Sequence, residues 1–226
     1  MRIAVLGTGM VGRTLAARLA ELGHVVTVGT RDVATASART GPDTFGNPPL
    51  AEWREHHPDI NLAGFAEAAA DAELVINATN GAGSLAALEA AGDEHLSGKV
   101  LVDVSNPLDV SHGMPPSLLV SNTDSLAEQI QRRFPTARVV KALNTVNAQL
   151  MVDPRRLAGG DHSVFVCGDD PDAKAQVTGL LESFGWSDVI DLGDITTARG
   201  AEMYLPLWTR LWATLGTPVF TIKVVR

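Results

Sequence analysis

Hydrophobic positions along the chain follow two periods. Short, mostly apolar runs, of the length and composition of strands buried on both faces, alternate with stretches whose apolar residues fall three and four apart, as on one side of a helix. The first run, Ile3-Ala4-Val5-Leu6, leads into Leu15, Leu19 and Leu22, and a second begins at Val25. Further strand-like runs fall at 60–63, 73–78, 100–104, 138–143, 163–167 and 189–192, with helical stretches at 65–72 and 84–91 and others ending at Phe134 and Phe184. This order predicts an α/β fold of the Rossmann type: a doubly wound, mostly parallel sheet with helices on both faces, its strand–helix–strand rhythm kept to the last strand. Tyr204, Leu207, Trp208, Leu211, Trp212 and Leu215 then mark one apolar helix face and 219–225 reads as a strand, so a C-terminal helix-strand extension is expected. At 226 residues the chain is read as a single domain. Its dinucleotide-binding core is placed at 1–150, and 151–226 is read as a sheet extension serving a dimer contact and part of the substrate pocket.

Between the first strand and the first helix stands Gly7-Thr8-Gly9-Met10-Val11-Gly12. A dinucleotide-binding turn needs glycine at these three places: Gly7 for the tight turn, Gly9 for backbone approach to a pyrophosphate, Gly12 for close contact of helix and strand. The free N–H groups and the positive end of the helix dipole then face the phosphates. The second strand ends in Thr30-Arg31, where a carboxylate would select NAD. A hydroxyl and a planar guanidinium suit the 2′-phosphate of NADP instead. Asp32 opposes that phosphate unless it caps the helix beginning there.

Three later strands run out into small polar groups: Thr79-Asn80-Gly81, Ser105-Asn106-Pro107 and Asn144-Thr145. Ligands of a doubly wound sheet bind beyond the carboxyl ends of its strands. Thr79, Asn80, Asn106, Pro107 and Asn144 are therefore expected on one rim beside the ribose and nicotinamide, where amides orient a carboxamide without adding charge. The long loop carrying Met114-Pro115-Pro116-Ser117 and 121–125 is placed to cover it. The Gly- and Pro-rich stretch 40–58 reads as a surface connection with a short helix at 51–56, and the adjacent His56 and His57 point apart on that helix rather than toward a common metal. There is no GxSxG elbow, no HExxH, no cysteine pair and no kinase signature. No catalytic acid–base residue and no metal site are assigned. A cleft of neutral amides and hydroxyls suits the alignment of two rings more than proton traffic.

Composition narrows the partners. A net charge of −8, a pI near 5.2 and the lack of a basic stripe argue against nucleic acid and against an anionic membrane. The one cysteine, Cys167, lies in the apolar run Val164-Phe165-Val166-Cys167, is expected in the core, and fits a reducing compartment. Because the sequence opens on a strand and holds no apolar run of membrane length, a cytoplasmic location without a signal peptide is expected.

The residues then carry a resemblance. GTGMVG at 7–12, VGTR at 28–31, VDVSNPL at 102–108, VKALNTV at 140–146, VFVCGDD at 164–170 and ARGAEMYLPLW at 198–208 resemble the NADP oxidoreductases that use coenzyme F-420, an 8-hydroxy-5-deazaflavin. A related domain occurs in the membrane ferric reductases of animals. The resemblance implies NADPH binding along the first strands, direct hydride transfer at the nicotinamide, and a homodimer. It makes Thr8, Gly9, Met10 and Val11 the phosphate turn, Thr30 and Arg31 the 2′-phosphate contact, and Asn80, Asn106, Pro107 and Asn144 the lining of the nicotinamide and ring pocket. NADP-favouring members often carry further basic residues soon after the first arginine; here the next cation is Arg39. The anionic tail of the deazaflavin would have to meet Lys141, Arg155, Arg199, Lys223 or Arg226.

The leading expectation is an NADPH-dependent oxidoreductase exchanging a hydride with coenzyme F-420 or a flavin-like acceptor. One alternative keeps NADPH and replaces the acceptor by FMN, FAD, a ferric chelate or a small carbonyl or imine, for which Tyr204 or His112 would be the first proton donors to mutate. The other is a sensor that binds NADP without turnover.

Overall fold

The computed structural model describes residues 1–42 and 46–226. Its strands are β1 (Arg2–Leu6), β2 (Val25–Thr30), β3 (Asn61–Gly64), β4 (Leu74–Asn77), β5 (Val100–Asp103), β6 (Leu108–Asp109), β7 (Ser117–Leu118), β8 (Arg138–Ala142), β9 (Val164–Cys167) and β10 (Val189–Asp191). Eight of them form one sheet in the order β10-β9-β8-β5-β4-β1-β2-β3. From β3 to β8 every pairing is parallel, and the strand order reverses between β1 and β4, the switch point at which such sheets open a crevice. Side chains alternate through the sheet: Ile3 and Val5 enter one apolar layer, Ala4 and Leu6 the other.

Helices cover both faces: α1 (Met10–Glu21), α2 (Val33–Ala38), α3 (Leu50–Glu55), α4 (Phe65–Ala70), α5 (Ser84–Ala91), α6 (Asp93–Leu96), α7 (Leu126–Arg133), α8 (Ala148–Val152), α9 (Pro171–Phe184), α10 (Ala198–Met203) and α11 (Leu205–Leu215). Leu15, Ala16 and Leu19 of α1, with Val177 and Leu181 of α9, fill the layer beneath Ile3 and Val5. Phe65, Ala68 and Ala69 of α4, Leu88 of α5, and Leu126 and Ile130 of α7 fill the other. These spacings of three and four put one stripe of each helix on the sheet, the pattern from which the helices are expected.

Two expectations are corrected. The strand–helix–strand rhythm fails at β8–β9, which pair antiparallel with Lys141 opposite Cys167. A parallel return needs a crossover that spans the sheet. The five-residue α8 and short 3₁₀ turns between these strands do not supply one. The stretch 219–225 is not a strand. Both edges of β9 are already occupied, by β8 and β10, so the tail joins no ladder; its backbone meets Ser163, whose N–H donates to the Ile222 carbonyl at 2.9 Å and whose Oγ accepts from the Val224 N–H at 3.0 Å. The C-terminal extension is therefore helical: the helix expected from Tyr204 to Leu215 is α11, and the short α10 precedes it. The surface connection expected over 40–58 falls partly on 43–45, outside the described residues; its described part contains α3.

Candidate active site

The turn after β1 is fixed by backbone crowding. Gly7 stands at φ +125°, a conformation that costs a side-chain-bearing residue strain, and a Cβ there would press on the Ala78 backbone after β4. A Cβ on Gly12 would overlap the Gly7 carbonyl. Gly9 differs: nothing lies within 4 Å of where its Cβ would stand. Gly9 is also the N-cap of α1, which has no side-chain cap and no acidic residue in its first turn. The first N–H groups of α1, beginning with Met10, Val11 and Gly12, thus have no capping side chain, the arrangement that accepts an anion.

At the end of β2, Thr30 is buried and Arg31 exposed. Asp32 caps α2, its Oδ1 accepting from the Thr35 N–H at 2.9 Å. That hydrogen bond holds the Asp32 carboxyl below its usual range and turns its charge to the helix end. A cleft of about 470 Å³ opens at the phosphate turn, with Thr8, Gly9, Arg13, Arg39 and Thr40 in its lining. Arg39 makes no hydrogen bond or ion pair among the described residues. Arg31 is outside that lining, so the structure adds Arg39 and Thr40 to the residues picked out at the end of β2.

The asparagine rim forms at the ends of β4, β5 and β8. Asn106 Nδ2 donates to the Asn144 carbonyl at 2.9 Å, and Asn144 Nδ2 donates to Asn106 Oδ1 and to the Ala201 carbonyl, both at 3.0 Å. Asn106, Pro107 and Asn144 are thereby brought together. Pro107 is buried, and its carbonyl accepts from the Leu119 N–H at 2.8 Å, which pins the β6–β7 hairpin beside the rim. Asn80 caps the 3₁₀ turn Gly81–Gly83 through the Ala82 N–H, while Thr79 Oγ1 donates to Asn77 Oδ1 at 2.6 Å. A Cβ on Gly81 would overlap the Asn106 carbonyl, so this turn sits directly on the rim.

Behind the rim is a charged group. Asn77, Asp103 and Lys141 stand side by side in register on β4, β5 and β8. Lys141 Nζ lies 2.8 Å from Asp103 Oδ2, 2.8 Å from Glu202 Oε1 and 2.6 Å from the Ser105 carbonyl. Asn77 Nδ2 and Ser105 Oγ both donate to Asp103 Oδ1, at 2.9 and 2.6 Å. Burial pulls the Lys141 ammonium toward neutrality, but the Asp103 and Glu202 carboxylates outweigh it and raise its pKa above the ordinary lysine value. Lys141 is 1% exposed, so it cannot meet an anionic acceptor tail as the resemblance allowed. Three other candidates for that tail are engaged: Arg199 with Glu128, Lys223 with Asp161 and Asp188, and Arg226 with Asp188. Arg155 makes no such bond among the described residues. An acid in the apolar run of β5 and a lysine in that of β8 are the sequence signal for this pair; Glu202, far along the chain, gives no local signal.

The remaining reactive groups are quiet. Burial pushes the Cys167 thiol up to about 11. His112 is exposed, His57 packs on Trp53, and no metal-holding cluster occurs among the described residues. The Tyr204 hydroxyl is buried without a partner among the described residues. No helix among them is long and apolar enough to cross a membrane.

Residues 2–107 match the profile of a family described as NADP oxidoreductase, coenzyme F420-dependent. The F420-dependent NADP reductase of Methanothermobacter marburgensis is 31% identical over 218 residues, covering 93% of this chain and 92% of the relative. The metalloreductase STEAP3 of Rattus norvegicus is 29% identical over 212 residues, 92% of this chain; the chain spans 38% of that relative's length. The crystal structure of a provisionally assigned F420-dependent NADP-reductase from Arthrobacter sp. FB24 is 64% identical, with a TM-score of 0.96 and full coverage of both chains. With the uncapped α1, the glycine turn and this likeness along nearly its whole length, the chain belongs to the coenzyme F420-dependent NADP oxidoreductase family and is an NAD(P)-dependent oxidoreductase.

Proposed function

We propose that the protein transfers a hydride between NADP(H) and a deazaflavin acceptor, coenzyme F-420, or a closely similar flavin-like ring. The observation that carries this reading is the rim itself: neutral amides lie at the strand ends, and the acids and the lysine behind them are buried and paired with one another. Such a site can align two rings and exclude competing charge, and its buried acids and lysine are engaged with one another rather than free for carbonyl chemistry.

The cofactor fits this chain on two counts: the open side of Gly9 leaves room for phosphate against backbone, and α1 lacks a cap of its own. Gly7, Thr8, Gly9, Met10, Val11 and Gly12 would hold the pyrophosphate through backbone N–H groups. Thr30 and Arg31, joined by Arg39 from the neighbouring cleft, would hold the 2′-phosphate. Thr79, Asn80, Asn106, Pro107 and Asn144 would line the nicotinamide and the acceptor ring. Asn144 spends both its amide hydrogens on Asn106 and Ala201, so its Oδ1 is the group left to accept from a carboxamide. A bound nicotinamide would supply hydride-transfer chemistry at this rim, and the role of Asn80, Asn106, Pro107 and Asn144 would be to orient the two rings.

A homodimer belongs to the same proposal, supported by Leu207 and Leu215 at 56% and 55% exposed on α11. The functional test is a spectrophotometric one. Protein and NADPH are mixed separately with the deazaflavin, FMN, FAD and a ferric chelate, following nicotinamide and acceptor absorbance. Bleaching of the deazaflavin well ahead of the others is expected. Preferred turnover of FMN or the ferric chelate would replace the acceptor, and NADPH binding with no turnover would leave a sensor.

A further inference from the structure

Glu202 is 1% exposed, yet it is a carboxylate at the end of a six-residue helix, far in sequence from everything it contacts. Its Oε2 accepts from the Leu126 N–H at 2.8 Å and its Oε1 from the Ala127 N–H at 3.1 Å, so it fills the start of α7. The same Oε1 meets Lys141 Nζ at the end of β8. The residue before it, Ala201, presents the carbonyl that takes one amide hydrogen of Asn144. A buried carboxylate with three donors on two other elements fixes a geometry more than it adds stability, because removing one partner leaves the others buried and unpaired.

We propose that Glu202 is the positioning residue of the asparagine rim: by tying α10 to Lys141 and to the start of α7, it holds the Ala201 carbonyl against Asn144 and so keeps Asn144 Oδ1 turned outward. The inference rests on the reading of Asn144 as a nicotinamide contact. It assigns a role to a network that takes no part in the chemistry. Glu202→Gln puts an amide NH2 where a carboxylate oxygen now accepts, so it faces either the Leu126 N–H or the Lys141 ammonium with a second donor. Lys141 and Asp103 remain as a neutral pair, and α10 is free to shift by the few tenths of an ångström that misalign the Ala201 carbonyl.

The test compares the affinities, by fluorescence or calorimetry, of NADP and of 2′-phospho-ADP-ribose, which has every phosphate of the cofactor and no nicotinamide. Glu202→Gln is expected to weaken NADP about tenfold, the loss of one well-placed hydrogen bond. Binding of 2′-phospho-ADP-ribose should stay within about twofold, since its phosphates are assigned to the turn after β1 and the contacts of the Glu202 side chain are with α7 and β8. In an Asn144→Ala background the same substitution should add nothing to the ratio, because its effect passes through that amide. Equal weakening of both ligands, or full additivity with Asn144→Ala, would overturn the proposal. If Asn144→Ala alone spares the NADP preference, the nicotinamide reading of the rim fails and the proposal with it. If Asn144→Ala is selective and Glu202→Gln is silent, only the role of Glu202 fails. Should Glu202→Gln not fold, Glu202→Asp keeps the charge with one methylene less, and the same ratio is read from it with a smaller expected change in the same direction.

Discussion

Two glycines of the turn after β1 are held by contacts within the protein, and the third meets nothing within 4 Å among the described residues. Gly12→Ala drives a methyl into the Gly7 carbonyl, and a loss of about 3 kcal/mol or more in unfolding free energy is expected from chemical denaturation. Gly9→Ala meets nothing in the protein, so the expected outcome is near-normal stability with NADP(H) affinity reduced at least tenfold, as the methyl takes the place of phosphate. Arg31→Ala and Arg39→Ala should each weaken NADPH about tenfold or more and leave NADH nearly unchanged, read as paired dissociation constants. Equal losses for the two cofactors would remove the 2′-phosphate from both residues. At this scale the sequence showed the shape of the turn well, because the close backbone approaches at Gly7 and Gly12 are possible only without a side chain. The capping role of Asp32 was legible as one of two options, and the hydrogen bond to Thr35 decides it. Lys141 misled, because a lysine in an apolar run looks like a free cation until the register places Asp103 beside it.

Among the elements, α7 shows how ionic contacts set a boundary. Ser125 caps it, with its Oγ accepting from the Glu128 N–H and donating to Glu128 Oε2, while Asp124 just before it is gripped by the two terminal guanidinium nitrogens of Arg132. Arg132 holds the Asp124 carboxyl down to about 2. A carboxyl lowered on folding contributes stability above its unfolded pKa near 3.8 and loses it as the pH falls through about 2. Thermal unfolding of Asp124→Asn should therefore lie below wild type at pH 5 and converge with it near pH 2. The strands and helices with clear periodicity were legible in the sequence, because burial on one face or two writes itself directly into residue order. The direction of β9 and the fate of 219–225 were not. The first follows from the short connection after β8, which gives no crossover for a parallel return, and the second from the edges of β9, which β8 and β10 occupy.

On the scale of the whole molecule, the sheet carries an asparagine rim at its strand ends, and α11 carries exposed apolar side chains. Trp208 stacks on Phe220 at 5.2 Å between ring centroids, while Leu207 and Leu215 of the same helix face outward. Sedimentation at micromolar concentration should give twice the chain mass, and a clean monomer would remove the homodimer from the proposal. The meeting of Asn106 and Asn144 was anticipated from the asparagines at successive strand ends, whereas the buried group behind them was not, since its third member arrives from the far end of the chain. The central claim is that the hydride passes directly between two rings, with no protein acid or base relaying it. A single-turnover reaction with NADPH deuterated at the transferred position of C4, quenched and analysed by mass spectrometry, tests it most directly. The deuterium is expected in the reduced deazaflavin, in full and without exchange; label lost to water, or retained on NADPH beside an unreduced acceptor, would contradict the proposal.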